Sequence, residues 1–277
     1  MIELVSVSGS LLPFNKGNIN STFKALVKPL SGAPAFVAVV KDLPARELFN
    51  ELFSYLVLRE LGLPVPSSYV GFVSATEQAI KVAPINGGGG QKMVFVSQVV
   101  PEPSMRMQLE ALAPASPSEL QFCVDQIVPK ISGWDQLGEL YAFDLWVANI
   151  DRNLGNILLG AGSSTSQPSV WLIDHGMAFT SPSWQAVDLV PEADYRNLLA
   201  VWATPRLAPD CKRKCLTSAA EFQRRASGFD KDSNIEYLSQ VFGLDKAESD
   251  AAKNFLGIRL GQLTQRSEAA LGLGSII

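Results

Sequence analysis

The sequence predicts an α+β fold in two lobes, a small β-rich lobe with one helix followed by a mostly helical one. Three observations carry that expectation. Short apolar segments bounded by turn formers fill residues 1–100. A Pro-, Ser- and Ala-rich stretch, Pro101–Pro117, follows and reads as a linker. Beyond it, over residues 118–277, the periodicity turns helical. With 47% hydrophobic and 18% charged residues among 277, the chain has ample material for a core and too little charge for disorder.

Taken in order, Ile2–Ser8 reads as a strand and Asn15–Thr22 as a polar loop rich in turn formers. Thr22–Leu30 and Ala35–Lys41 are apolar-rich strands, and Ser31-Gly32-Ala33-Pro34 between them predicts a hairpin. Leu43–Leu63 reads as a helix. Pro44 in its first turn lacks only an N–H that would be unpaired anyway, and Gly62 and Pro64 stop it. Ser67–Val73 and Glu77–Val82 are further expected strands, and Gly87–Gly90 is a loop tip. Lys92–Val100 is nearly continuous in apolar character, as a buried strand would be. After the linker come helices at Ser118–Ile131 and Trp134–Ala148. Two short strands follow, Ile157–Leu159 and Val170–Ile173, joined by a loop from Gly160 to Pro168. The chain from about Asn197 reads as helical, with Asp245 as N-cap of a helix ending near Gly272.

Bulk charge excludes some functions. The net charge of −4 provides no excess of Lys and Arg for direct nucleic-acid binding or an anionic membrane. No apolar run spans a bilayer, and the N-terminus has no basic and apolar leader, so a cytoplasmic location is the expectation. Cys123, Cys211 and Cys215 form no disulfide framework. A metal site on the last two would need ligands that the single histidine, His175, does not supply.

The strongest chemical signal is Asn149-Ile150-Asp151-Arg152-Asn153-Leu154-Gly155-Asn156-Ile157-Leu158. Phosphoryl transfer needs a carboxylate to orient the attacking hydroxyl and accept its proton, and an oxygen ligand for Mg²⁺ nearby. Kinases place these as an Asp and an Asn five positions apart on one loop, the spacing of Asp151 and Asn156. The second signal is Val170-Trp171-Leu172-Ile173-Asp174-His175-Gly176, an apolar strand ending in an Asp that could hold Mg²⁺ against phosphates. Each alone is compatible with an ordinary turn; together, in order and flanked by strands, they point to a catalytic cleft. Lys41, ending the strand Phe36–Lys41, is placed like the strand lysine that pairs with nucleotide phosphates. Glu51 in the following helix can hold it, with Glu47 one turn earlier as the competing partner. The loop containing Gly17, Asn18 and Ser21 could cover phosphates with backbone N–H groups. Ser97, Gln98 and Val99, ahead of the linker, are where backbone groups would meet adenine. His175 beside Asp174 reads as an orienting or packing residue rather than a general base.

These stretches resemble the HipA-like kinases, in particular their short stand-alone members. The resemblance is carried by Val40-Lys41, Asn50-Glu51 with Leu61-Gly62-Leu63-Pro64-Val65-Pro66, the Asp151–Asn156 loop and Leu172-Ile173-Asp174-His175-Gly176. The same loop and Ile173-Asp174-His175-Gly176-Met177-Ala178-Phe179 are also similar to type II phosphatidylinositol 4-kinases. The resemblance implies a bilobal protein-kinase-like fold with ATP and Mg²⁺. It makes Asp151 the base, Asn156 and Asp174 the metal ligands, and Lys41 with Glu51 the phosphate-positioning pair. It also implies a Ser/Thr protein substrate and, for toxin members, a small antitoxin or DNA-binding partner. A lipid or small-molecule hydroxyl is the alternative acceptor, and a catalytically silent nucleotide-binding module the alternative class.

Overall fold

The computed structural model describes residues 2–13, 21–85, 89–160 and 169–274. The first lobe is a closed five-stranded sheet formed from β1 (Glu3–Pro13), β2 (Thr22–Pro29), β3 (Phe36–Lys41), β4 (Ser68–Ser74) and β5 (Gln91–Gln98). Their order around the barrel is β1-β2-β3-β5-β4. Neighbours run antiparallel except β1 and β4, which are parallel. The expected hairpin is β2–β3, in register from Thr22 opposite Lys41 to Val27 opposite Phe36. Alternation decides what faces inward. β2 buries Phe23, Ala25 and Val27 while Lys24, Leu26 and Lys28 face out. The inward set joins Val5, Ala38, Val40, Val94 and Val96 in a small core of the lobe's own.

α1 (Ala45–Glu60) packs between this barrel and the helical lobe, and every residue from Glu47 to Leu58 is buried. A helix enclosed on all sides needs no amphipathic stripe. Glu77–Val82, expected as a strand, is not one. The carboxylate of Asp42 takes the backbone N–H groups of Lys81 (2.6 Å), Val82 (3.1 Å) and Ala83 (2.8 Å), which satisfies the segment without a ladder. The stretch expected as a linker carries α2 (Met105–Ala111), N-capped by the Ser104 hydroxyl, with Met105 and Leu109 buried. Its Pro, Ser and Ala content hid an i,i+4 apolar pair that docks it.

The helical lobe contains α3 (Pro117–Ser132), α4 (Leu137–Trp146), the hairpin β6 (Ile157–Gly160) and β7 (Ser169–Leu172), then α5 (Leu198–Ala203), α6 (Pro209–Ala226), α7 (Lys231–Phe242), α8 (Lys246–Gly261) and α9 (Leu263–Ala270). α4 is its central rod. α6 crosses so closely that a Cβ on Gly138 would sit 2.1 Å from the carbonyl oxygen of Cys215. Arg259 from α8 reaches the carbonyls of Leu145 and Trp146, capping the end of α4. Asp245 caps α8 as expected, with a reciprocal bond from Glu248. The helix stops at Gln262 rather than running to Gly272, because the N–H of Thr264 donates to the Gln223 side chain on α6 (3.0 Å). Among the described residues no helix is long and apolar enough to cross a membrane.

All three cysteines are free. Cys215 is buried on α6, and burial together with neighbouring Cys211 pushes its thiol up to about 12. The thiolate is the reactive form. Folded protein treated with iodoacetamide at pH 8 is therefore expected to keep Cys215 unmodified while denatured protein alkylates it, read by peptide mass spectrometry. Equal labelling of Cys215 and Cys123 in the folded state would contradict this packing.

Candidate active site

β3 delivers Lys41 to the floor of the cleft between the lobes. Its Nζ lies 2.7 Å from Glu51 Oε1 and 3.0 Å from Asp174 Oδ1, and 5.5 Å from the centre of the Phe95 ring. Of the two candidate glutamates on α1, Glu47 and Glu51, it is Glu51 that pairs with Lys41. Glu47 is buried one turn earlier against Gly176, where a Cβ would meet its carboxylate at 2.7 Å. Glu51 is fully buried, and its second oxygen accepts the backbone N–H of His175 (2.9 Å). One carboxylate thus holds both the lysine and the backbone that follows Asp174.

The adjacent Asn50 extends this grip. Its amide donates to the carbonyls of Gly176 (2.7 Å), Ala178 (2.8 Å) and Ser181 (3.0 Å), and its oxygen accepts from the Trp184 indole (2.8 Å). Asp174 itself has φ 60°, a left-handed conformation that Asp tolerates better than most residues. Ala148, Phe179 and Thr180 are left-handed as well. Two bonds, Phe179 N–H to Val147 O (2.7 Å) and Thr180 N–H to Ala148 O (3.2 Å), clamp the two loops together. Backbone held in sparsely populated conformations by such over-determination is characteristic of functional sites.

The loop after α4 is equally constrained. Asn156 Nδ2 donates to the Asp151 carbonyl (2.7 Å), and Asn153 Nδ2 to the Asp151 carboxylate (3.0 Å). The β6–β7 register pairs Ile157 with Leu172, and the N–H of Ile173 reaches Asn156 O (3.2 Å). Asn156 and Asp174 therefore stand side by side at the ends of neighbouring strands. Beneath them Arg152, fully buried, bonds Asp144 through two nitrogens (both 3.0 Å) and donates to Ile173 O (3.0 Å) and Asn156 O (3.3 Å). It also faces His175 Nδ1 at 3.0 Å. A guanidinium only donates, so Nδ1 is the acceptor and the imidazole is neutral. Burial, reinforced by the charges of Arg152 and Lys41, holds His175 well below its ordinary range. The imidazole is thus packed beneath the cleft against Arg152.

The charges at the cleft reinforce one another. Burial alone would lower the Lys41 ammonium, but the carboxylates of Asp174 and Glu51 outweigh it and raise its pKa. The lysine in turn holds Asp174 below the usual carboxylate range. Burial pushes Glu51 upward against the pull of Lys41. The cleft thus presents a fixed cation next to an ionised carboxylate whose side chain is half exposed.

Asn156 commits its amide nitrogen to Asp151, so its oxygen is the atom that could ligate a metal, and Asp174 could add carboxylate oxygens. Hard oxygen donors of this kind suit Mg²⁺, which takes the rest of its shell from phosphate and water. Among the described residues no group of three or more His, Cys, Asp or Glu forms a self-sufficient metal cage.

Gly17 and Asn18 lie outside the described residues. Ser21 is exposed next to Thr22, the residue opposite Lys41, and its carbonyl accepts the N–H of Asp42 (3.0 Å). Ser97 is paired in the ladders with Val39 and Ser68. The N–H of Gln98 donates to Ser67 O (2.9 Å). Val99 follows the strand and is exposed. Asn50, Asp144 and Asn153 were not read as site residues. Asp144 had a signal, since an acid inside an apolar helical run demands a buried partner.

The solved structure of the Helicobacter pylori proinflammatory kinase CtkA is similar to the chain over 97% of both, with a TM-score of 0.55 and 13% identity. The fold is kinase-like. No family model and no curated protein matches the chain. The kinase-like fold places the barrel, α1 and the β6–β7 hairpin around one cleft, where Lys41, Glu51, Asp151, Asn156 and Asp174 gather.

Proposed function

We propose that the chain is an ATP- and Mg²⁺-dependent kinase that transfers the γ-phosphate to a hydroxyl, with Ser or Thr of a protein as acceptor. The observation that carries this reading is the ion-pair chain Glu51–Lys41–Asp174, set beside the loop from Asp151 to Asn156. Lys41 binds phosphate oxygens, and Glu51 keeps it from collapsing onto Asp174 alone. Asn156 and Asp174 would hold Mg²⁺, which when bound neutralises phosphate charge. Asp151 orients the acceptor hydroxyl; the oxygen bonds to the γ-phosphorus, its proton passes to the Asp151 carboxylate, and ADP leaves. The likeness to a solved kinase supports the class of reaction; the HipA-like resemblance supports a protein acceptor and is the sole basis for an antitoxin or DNA-binding partner.

Labelled ATP added to a cell lysate with wild-type protein should yield a labelled protein band that Asp151→Ala does not produce. Label appearing only in phosphoinositide vesicles would transfer the reading to a lipid kinase. ATP binding without turnover on any acceptor would make the chain a silent module.

Lys41→Ala is expected to lower kcat/KM by roughly 100-fold, the scale seen when one preorganised charge stabiliser is lost. Lys41→Arg should not restore it, because the bulkier planar guanidinium cannot occupy the place of a compact ammonium held 2.7 Å from Glu51 and 3.0 Å from Asp174. Circular dichroism should show the fold retained in both.

A further inference from the structure

Arg106 belongs to no part of the machinery described so far, yet it sits against the loop that carries Asp151. It projects from α2, and one of its terminal nitrogens donates to Asn153 Oδ1 at 2.8 Å. The same oxygen accepts the N–H of Gly155 at 2.7 Å. The other end of that amide, Asn153 Nδ2, donates to Asp151 Oδ2 at 3.0 Å. An asparagine amide has an acceptor end and a donor end, and turning it over exchanges them. If it turned, its oxygen would face the Asp151 carboxylate in mutual repulsion. Two donors converging on Oδ1 forbid that turn, and one of them is a full positive charge.

The surroundings are built to keep the guanidinium there. α2 is docked through buried Met105 and Leu109, capped by Ser104, and tied to β6 by Gln108 Nε2 to Leu159 O (2.7 Å) and Leu159 N–H to Pro103 O (2.9 Å). Gly155 leaves the space that the guanidinium fills. A Cβ at that position would lie 2.9 Å from Asn153 Oδ1 and 3.4 Å from the Arg106 guanidinium carbon.

We infer that Arg106 is a positioning residue that fixes the Asn153 amide and, through it, the carboxylate of Asp151. It acts from the segment between the lobes, outside the motif it serves. The inference rests on the proposed role of Asp151 but names a separate residue, so each can fail alone.

The test is a double-mutant cycle in the phosphotransfer assay. Arg106→Ala should lower kcat about tenfold, part of the roughly 100-fold that a full misplacement of a reacting group can cost, and leave KM for ATP unchanged. Asn153→Ala should lower kcat similarly, and the double variant should lose no more than either single one, since both break one relay. Arg106→Lys, which can still reach the oxygen with a donor, should recover part of the loss. Glu110→Ala on the same helix is the control and should match wild type. Losses that multiply in the double variant, or an Arg106→Ala kcat within twofold of wild type, would overturn the inference.

A second measurement is independent of turnover. In ¹H–¹⁵N spectra the Asn153 side-chain amide, assigned by its absence in Asn153→Ala, should show two protected protons in wild type and lose protection in Arg106→Ala. Unchanged protection overturns the inference even where activity falls. If Asp151→Ala keeps full activity while the amide behaves as expected, the assignment of the base fails and the relay stands.

Discussion

Asp151→Ala is expected to reduce phosphotransfer to background. The loss should be at least about 10³-fold in kcat, because general-base catalysis contributes on the order of 10²–10⁴ and the carboxylate also orients the hydroxyl. The side chain is partly exposed, and its carboxylate receives the Asn153 amide, so removing it disturbs one hydrogen bond and little packing. The unfolding midpoint should consequently stay near that of wild type. Asp151→Asn keeps the shape and removes the proton acceptor, and it should be as inactive as the alanine variant. Binding of Mg²⁺-ATP, followed by calorimetry, should survive both changes, because the groups assigned to the nucleotide are Lys41, Asn156 and Asp174. Substantial turnover by either variant would remove Asp151 from the base role.

How much of this site could be read in the sequence follows from how local each interaction is. Asp151 and Asn156 were legible because one loop fixes both, and their spacing is a property of that loop alone. Lys41 and Glu51 were legible because a strand end and the helix after it bring them together with a separation of ten. The lysine's second partner, Asp174, is 133 positions away and was reached only through its own strand-Asp-His-Gly signal. Where contacts were distant and carried by unremarkable residues, nothing pointed to them. Arg106 meets Asn153 across 47 positions from a stretch whose composition reads as linker. Asn50 ties α1 to the Gly176–Ser181 loop across 126 to 131 positions. The failed strand at Glu77–Val82 has the same origin. Its N–H groups are taken by a carboxylate about forty residues upstream, and hydrophobic patterning carries no record of that.

Asp144→Ala is expected to be the most destabilising single change in the helical lobe. Asp144 and Arg152 are both fully inaccessible, and the carboxylate takes two guanidinium nitrogens and the Asn149 amide (2.9 Å). Burial pushes the Asp144 carboxyl upward and the arginine only partly restrains it, so the pair is costly to bury. Removing one partner leaves the other charge uncompensated in the interior, which costs roughly 3–5 kcal/mol. Against a typical total of about 5–15 kcal/mol, that is a large share. Urea unfolding should show the midpoint drop without a change in slope. Removing both charges with apolar residues of similar bulk, Asp144→Leu with Arg152→Met, should recover part of the stability, because no charge remains to be compensated while the acceptors of Arg152 and the Asn149 amide stay without their partners. Activity should not return. Arg152 also donates to the carbonyls of Asn156 and Ile173 and braces His175, the three points that set Asn156 and Asp174 side by side. Recovered stability without recovered turnover would separate the two jobs of this arginine. If the double variant regained wild-type turnover, the buried pair would be a packing feature with no part in positioning the proposed metal ligands.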